Sequence, residues 1–201
     1  MAASNDDIFG LFFEVMPKPG HEPHYFDHVE ELKPALARHH GLLWLQRYKG
    51  VDDAGLILSH QLWDSETALA DWRRDRDHRQ SQIAGMTKHF ADYRIRVGQR
   101  LWHLENGVEH GHFSADDTAK PVLAIHGAAA RDASAFAGLG IVQRRFVSVL
   151  EPATALLLIS FDSVDDAVRR MIMRPGVDMA AFFAVTRDYG LFDRTEAPRA
   201  D

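Results

Sequence analysis

The chain has no cysteine, so it can form no disulfide, build no thiolate metal site and offer no thiol nucleophile. No apolar run approaches the roughly 20 residues needed to span a bilayer, and Met1–Asp7 is small, polar and acidic, unlike a secretory or transit leader. Basic residues are the minority. The 23 Lys and Arg stand against 29 Asp and Glu, and the resulting net charge of −6 has the wrong sign for a phosphate-binding surface. There is no Walker-type or dinucleotide glycine loop, no nucleophile elbow and no zinc-protease motif, so NAD, ATP and hydrolytic chemistry have no support. These absences predict a protein of a reducing cytoplasm that binds neither nucleic acid nor membrane. What is present is ordinary globular composition, 46% hydrophobic and 26% charged over 201 residues, enough for two small domains.

The apolar pattern supplies the elements. Ile8 to Met16 is a short, nearly continuous apolar run closed by Pro17, Pro19 and Gly20, which predicts a buried strand. From Glu22 the spacing turns helical through Tyr25, Phe26, Val29, Leu32 and Leu36, with Pro34 inside to bend or split the helix. Leu43–Lys49 and Leu56–Trp63 read as two strands joined by a polar, glycine-bounded loop. Asp64 or Ser65 can cap the next helix, and a further helical stretch runs from His78 to His89, weakened by Gly85. Tyr93–Trp102 alternates Tyr93, Ile95, Val97 and Leu101 against Arg94, Arg96 and Arg100, a strand with one arginine-bearing face. The order is βαββαβ.

After a polar stretch the pattern restarts, with strands at Val122–Ala128, Ile141–Leu150, Thr154–Phe161 and Phe182–Phe192 and helices at Ala133–Ala137 and Val164–Met173. Leu62 to Ala68 registers on Ser160 to Ala167, with Asp64 and Asp162 at the same place in each copy. An internal repeat of domain length outranks any single segment. The prediction is α+β: residues 1–105 as one ferredoxin-like half, 106–120 as linker and 121–201 as a degenerate second half. Each half leaves one sheet face uncovered, and the other half is the nearest cover. The pair should close as a fused dimeric α/β barrel within one chain, with its outer surface open to further homodimerisation.

Three segments carry a family likeness: Trp63-Asp64-Ser65-Glu66-Thr67-Ala68-Leu69-Ala70-Asp71-Trp72-Arg73, His78-Arg79-Gln80-Ser81-Gln82 and Tyr93-Arg94-Ile95-Arg96-Val97. Together they resemble the antibiotic biosynthesis monooxygenase family of the dimeric α/β barrel superfamily, over about the first 105 residues. The resemblance implies cofactor-free oxygenation of a small aromatic molecule of phenol or hydroquinone type, with no cofactor and no metal, in a dry pocket that stabilises the substrate anion. His78, Arg94 and Arg96 are the implied catalytic groups. Strand alternation adds Trp44 and Tyr48 (beside Gln46) and Gln61 and Trp63 (beside Ser59), and the helices add Trp72 and Gln82, as substrate contacts. The pocket is expected in the N-terminal half, between sheet and helices or in the barrel mouth, with Trp63, Trp72, His78 and at least one of Arg94 or Arg96 in its wall.

Competing readings stand beside this one. The arginines could be paired at the rim, and Trp63 and Trp72 could be plain core. A non-catalytic hydrophobic-ligand or stress-response module would use the same pocket. A haem-degrading role is third: the resemblance places its iron ligand where this chain has Gln82, and the first strand lacks the expected asparagine, with only Gly10 and Glu14 among its non-apolar residues. Of the 12 histidines, His21, His24 and His28 on the first helix read as a solvated polar face. His39-His40 and His110-Gly111-His112 fall in loops. His60, among leucines, reads as a hydrogen-bonded core residue.

Overall fold

The computed structural model describes residues 8–112, 120–162, 172 and 175–198. The first half runs β1 (Phe9–Pro17), α1 (Glu22–Arg38), β2 (Leu42–Gly50), β3 (Ile57–Trp63), α2 (Glu66–Arg74), α3 (Arg76–Ala84), a π-helical turn (Gly85–His89) and β4 (Phe90–Glu105). A short β5 (Val108–Gly111) precedes the second half, made of β6 (Pro121–His126), β7 (Val142–Ser148), β8 (Ala155–Ser160) and β9 (Met179–Gly190). Two 3₁₀ turns, Ala128–Ala130 and Ala133–Phe136, stand where the first half has α1. The helix expected over Val164–Met173 lies outside the described residues apart from Ile172.

Within each half the strands follow one antiparallel order, β4-β1-β3-β2 and β9-β6-β8-β7. The halves join at two seams. β4 pairs with β9 from Arg94↔Gly190 to Glu105↔Met179, while β2 meets β7 only at Tyr48↔Ser148, Lys49↔Val147 and Gly50↔Phe146. Eight strands therefore close a tandem ferredoxin-like barrel inside one chain, as the repeat predicts. A closed sheet leaves no long pairing edge, which is how barrels escape edge-to-edge aggregation.

Local chemistry explains the departures from the predicted boundaries. α1 passes through Pro34 without ending, because Pro34 is exposed and water can meet the carbonyl it frees. Ser65 is the N-cap of α2, its Oγ accepting from the Ala68 N–H at 3.2 Å. The polar stretch after Glu105 is not all linker. Asn106 and Gly107 both have positive φ, 51° and 76°, the two-residue hairpin turn that lets β5 fold back on β4.

Period-two alternation sorts the first half's side chains between two cores. Phe12, Tyr48, Leu58, Leu156, Leu158 and Phe183 fill the barrel interior from both halves. On the outer face, Trp63, Leu69, Trp72 and Val97 pack beneath the helices, beside a second cluster of Val15, Tyr25, Ile57 and Tyr93.

Candidate active site

Between the outer face of the first half's sheet and its three helices lies a cavity of about 220 Å³, mostly apolar in lining. Leu11, Phe13, Leu45, Ile95 and Val97 form its floor, and Val29, Leu32, Leu69 and Met86 its roof. Polar groups converge at two ends.

At one end sit Trp72, His78 and Gln82. Residues His78 and Gln82 are one turn apart on α3 and share a face. The His78 ring stacks on Trp72, centroids 4.3 Å apart and planes 13° from parallel, and its Nδ1 donates to the Trp72 carbonyl at 2.8 Å. That bond fixes the tautomer with the proton on Nδ1 and leaves Nε2 as an acceptor, with the Gln82 side-chain amide 3.5 Å from it. Burial holds the His78 pKa below the ordinary imidazole value, against the opposing effect of the Trp72 carbonyl, so the ring is neutral. Asp75 caps α3, accepting from the Asp77 and His78 N–H groups at 3.0 Å each, and so sets where His78 begins.

At the other end Arg47 of β2 lies opposite Ser59 of β3 in the strand register, and both line the cavity. Tyr25 lies beside the Arg47 guanidinium, which favours its phenolate, but burial outweighs that neighbour and raises its phenol pKa. Among the described residues Arg47 has no carboxylate partner, and its Nε is buried with no acceptor. A buried donor left without an acceptor costs about 1–3 kcal/mol, so this corner is suited to an incoming oxyanion. Along the floor, Trp63 Nε1 donates to Gln61 Oε1 at 3.0 Å and Gln61 Nε2 donates to Ser59 Oγ at 3.1 Å, a polar wire from the tryptophan towards Arg47. Of the remaining cations in the wall, Arg187 is paired with Glu66 at 2.8 Å and Arg194 donates to the Tyr93 hydroxyl.

The structure therefore divides the sequence-derived site residues between two places. Gln61, Trp72, His78 and Gln82 line the cavity, and Trp63 is buried directly beneath it. Arg94, Arg96, Trp44 and Tyr48 lie on the other face of the sheet. Arg96 is buried inside the barrel, where its guanidinium meets Glu14 at 2.5 Å and Ser160 Oγ at 2.9 Å. Arg94 forms a two-bond pair with Asp188, 2.9 and 2.7 Å, at the barrel rim. The Tyr48 hydroxyl donates to Gln46 Oε1 at 2.7 Å, and Trp44 packs edge-on to His60 and His126. The expectation that Arg94 or Arg96 would share a wall with His78 is thus corrected. Ser59, Gln61 and Trp63 also face the helices rather than the barrel interior, because Leu58, His60 and Leu62 take the inner side. Arg47 is a further cation of the cavity wall. Sequence reasoning missed it although the signal existed: β2 alternates Trp44, Gln46 and Tyr48 against Leu45 and Arg47, and only one set can face the helices.

Comparison with known proteins places part of the chain beside a known family. A family profile, Antibiotic biosynthesis monooxygenase, matches residues 8–82, which span β1 to α3 and so most of the cavity wall. Residues 8–82 are therefore similar to that family. A "Jasmonate monooxygenase ABM" from Pyricularia oryzae is 29% identical over 214 residues, covering 96% of this chain and 97% of the relative. Among solved structures, an anthrone oxidase-like protein covers 99% of both chains at 13% identity with a TM-score of 0.45. A shorter protein from Pseudomonas aeruginosa covers 49% of this chain and 98% of its own at 15% identity and a TM-score of 0.43. No helix of the described residues is long and apolar enough to cross a membrane.

Proposed function

We propose that the cavity is the active site of a cofactor-independent monooxygenase acting on a small apolar molecule that ionises to an oxyanion. One observation carries the reading: a neutral, part-buried His78 with Nε2 as an acceptor and an Arg47 without a carboxylate partner line the same apolar space. A hydroquinone- or anthrone-type substrate suits it. His78 Nε2 accepts a proton as the substrate ionises, and Arg47 with Tyr25 stabilises the oxyanion left behind. The electron-rich anion then reduces oxygen itself. One oxygen atom enters the substrate as a carbonyl and the other leaves as water with two substrate hydrogens, both from the methylene carbon of an anthrone, or one from the oxidised ring carbon and one from a hydroxyl of a hydroquinone. Atoms and electrons balance without a cofactor. A dry, apolar enclosure keeps the anion and the oxygen adduct from bulk water.

The test is oxygen uptake by the purified chain with a panel of anthrones and hydroquinones, jasmonate included because the relative's name specifies it, with no added cofactor. The expected result is substrate-dependent uptake with one oxygen per product, reduced by Arg47→Met. Saturable binding of the panel with no uptake would replace the enzyme with a ligand-binding module of the same fold. Turnover of added haem to an open-chain product would overturn both, since Gln82 stands where the resemblance places an iron ligand.

A further inference from the structure

Three histidines in the first turns of α1 have the look of a solvated polar face in the sequence. Folding adds a fourth imidazole, 68 positions away from His21. His89 ends the π-helical turn and meets this group. His21, His24 and His89 each present a ring nitrogen, and all three nitrogens lie within 4.8 Å of one another. His21 Nδ1 and His89 Nδ1 are 3.0 Å apart. Nitrogen ligands placed about 2.0–2.1 Å from a tetrahedral ion lie about 3.4 Å from each other, so this pair is already near ligand spacing, and the exposed His24 has room to close.

We propose that His21, His24 and His89 form a three-imidazole site for a divalent first-row transition cation of the zinc class. The segments that carry the ligands are tied together by backbone, independently of any ion. The Lys18 N–H donates to the His89 carbonyl at 2.9 Å, the His21 N–H donates to the Lys18 carbonyl at 2.9 Å, and Lys18 Nζ donates to the Lys88 carbonyl at 3.0 Å. Asp27 lies 3.7 Å from His24 Nδ1, the carboxylate–histidine pairing that orients metal-bound imidazoles. An all-nitrogen ligand set selects zinc, nickel or copper over magnesium and calcium, which want oxygen. Three protein ligands leave a fourth position for water.

None of the three ligands lines the cavity, but their neighbours do. His28 packs 5.6 Å from His89 between ring centroids, and Met86, Phe90 and His28 are all in the cavity wall. An ion here would clamp α1 to the π-helical turn and stiffen that wall, with no part in the oxygen chemistry.

The test is calorimetric titration of the chelator-stripped full chain with Zn²⁺, and with Co²⁺ followed by its visible absorption. The expected result is one ion per chain, a tetrahedral Co²⁺ spectrum and a raised melting temperature on Zn²⁺ binding. His89→Gln and, separately, His24→Gln should each weaken Zn²⁺ by more than the roughly 10–100-fold cost of losing an outer-shell partner. His110→Gln, whose ring stacks 4.7 Å from His103 at a distance from this site, should leave affinity and stoichiometry unchanged. Absence of saturable binding, or binding that survives both His89→Gln and His24→Gln, would overturn the site. Neither readout depends on turnover, so failure here leaves the oxygenase proposal untouched.

Discussion

At the scale of the residue, histidine chemistry separates the two cores. His78 is neutral because it is buried, and its proton is committed to the Trp72 carbonyl. His78→Asn retains a polar group near that carbonyl but no basic ring nitrogen. Steady-state oxygen uptake should fall by about 10²–10⁴-fold, the usual contribution of a positioned general base, with the far-ultraviolet spectrum unchanged. His60 and His126 are neutral for the same reason but in a different place. They stand inside the barrel, His60 stacked on Phe12 at 4.3 Å and donating to the Leu11 carbonyl at 3.3 Å. Burial pushes their pKa values down to about 3 and about 4, with His126 adding to the effect on His60. The unfolded chain therefore takes up protons that the native chain refuses below about pH 6.5. Stability is fully present above that pH and is lost as pH falls towards 4, with a slope on the order of 1.4 kcal/mol per pH unit per histidine. Urea midpoints measured from pH 7 to 4 check this, and His126→Gln should flatten the profile. An unchanged slope in that variant would place the acid sensitivity elsewhere.

Among the elements, the π-helical turn matters most to the site. Gly85 opens it, and a Cβ there would come within 2.3 Å of the Phe90 ring. A β-carbon is therefore excluded while Phe90 stays in the cavity wall. π turns are uncommon and concentrate at functional sites, and this one sets Met86, Phe90 and His89 in a single step. Gly85→Ala should cost about 1–3 kcal/mol, as overpacking does, and should weaken ligand binding in the cavity together with stability. Denaturation midpoints and a binding isotherm on the same variant measure both. In the sequence Gly85 reads only as a weak spot in a helix, because propensity does not register which ring lies overhead. The same limit governs the candidate site. Repeat register, capping Ser65 and the alternation of β4 were legible, and so were Trp72, His78 and Gln82 through one helical face. The side of the sheet on which β3 turns Gln61 and Trp63 was not, since period two gives the partition and never names the faces. That ambiguity placed Arg94 and Arg96 at the site and left out Arg47. The Asn106-Gly107 turn carried a clear hairpin signal that a polar composition masked.

For the whole molecule, the two seams are unequal. β4 and β9 pair along most of their lengths, while β2 and β7 share three residue pairs. An ion-pair cluster around a buried carboxylate links the halves as well. Glu14 of β1, only 2% exposed, meets Arg96 at 2.5 Å and, across to the second half, Arg144 at 2.6 Å. The second half thus completes both the apolar filling and the charge pairing of the first, although it has only 3₁₀ turns over Ala128–Phe136 where the first half has α1. Truncation after Glu105 removes all of this at once. It strips β2 and β4 of their outer partners and uncovers Phe12, Trp44, Tyr48, Leu58 and Leu62 on one face, with Glu14 losing one of its two arginines. Unpaired edges and an apolar face of this kind drive association. The isolated first half should run as a dimer or aggregate by light scattering, while the full chain closes its barrel alone. Two first-half copies have the strand order to replace the missing partner, each lending its β2 and β4 edges to the other. A stable, soluble, monomeric fragment would show that the sheet covers itself, and the fused-barrel account of stability would then be wrong.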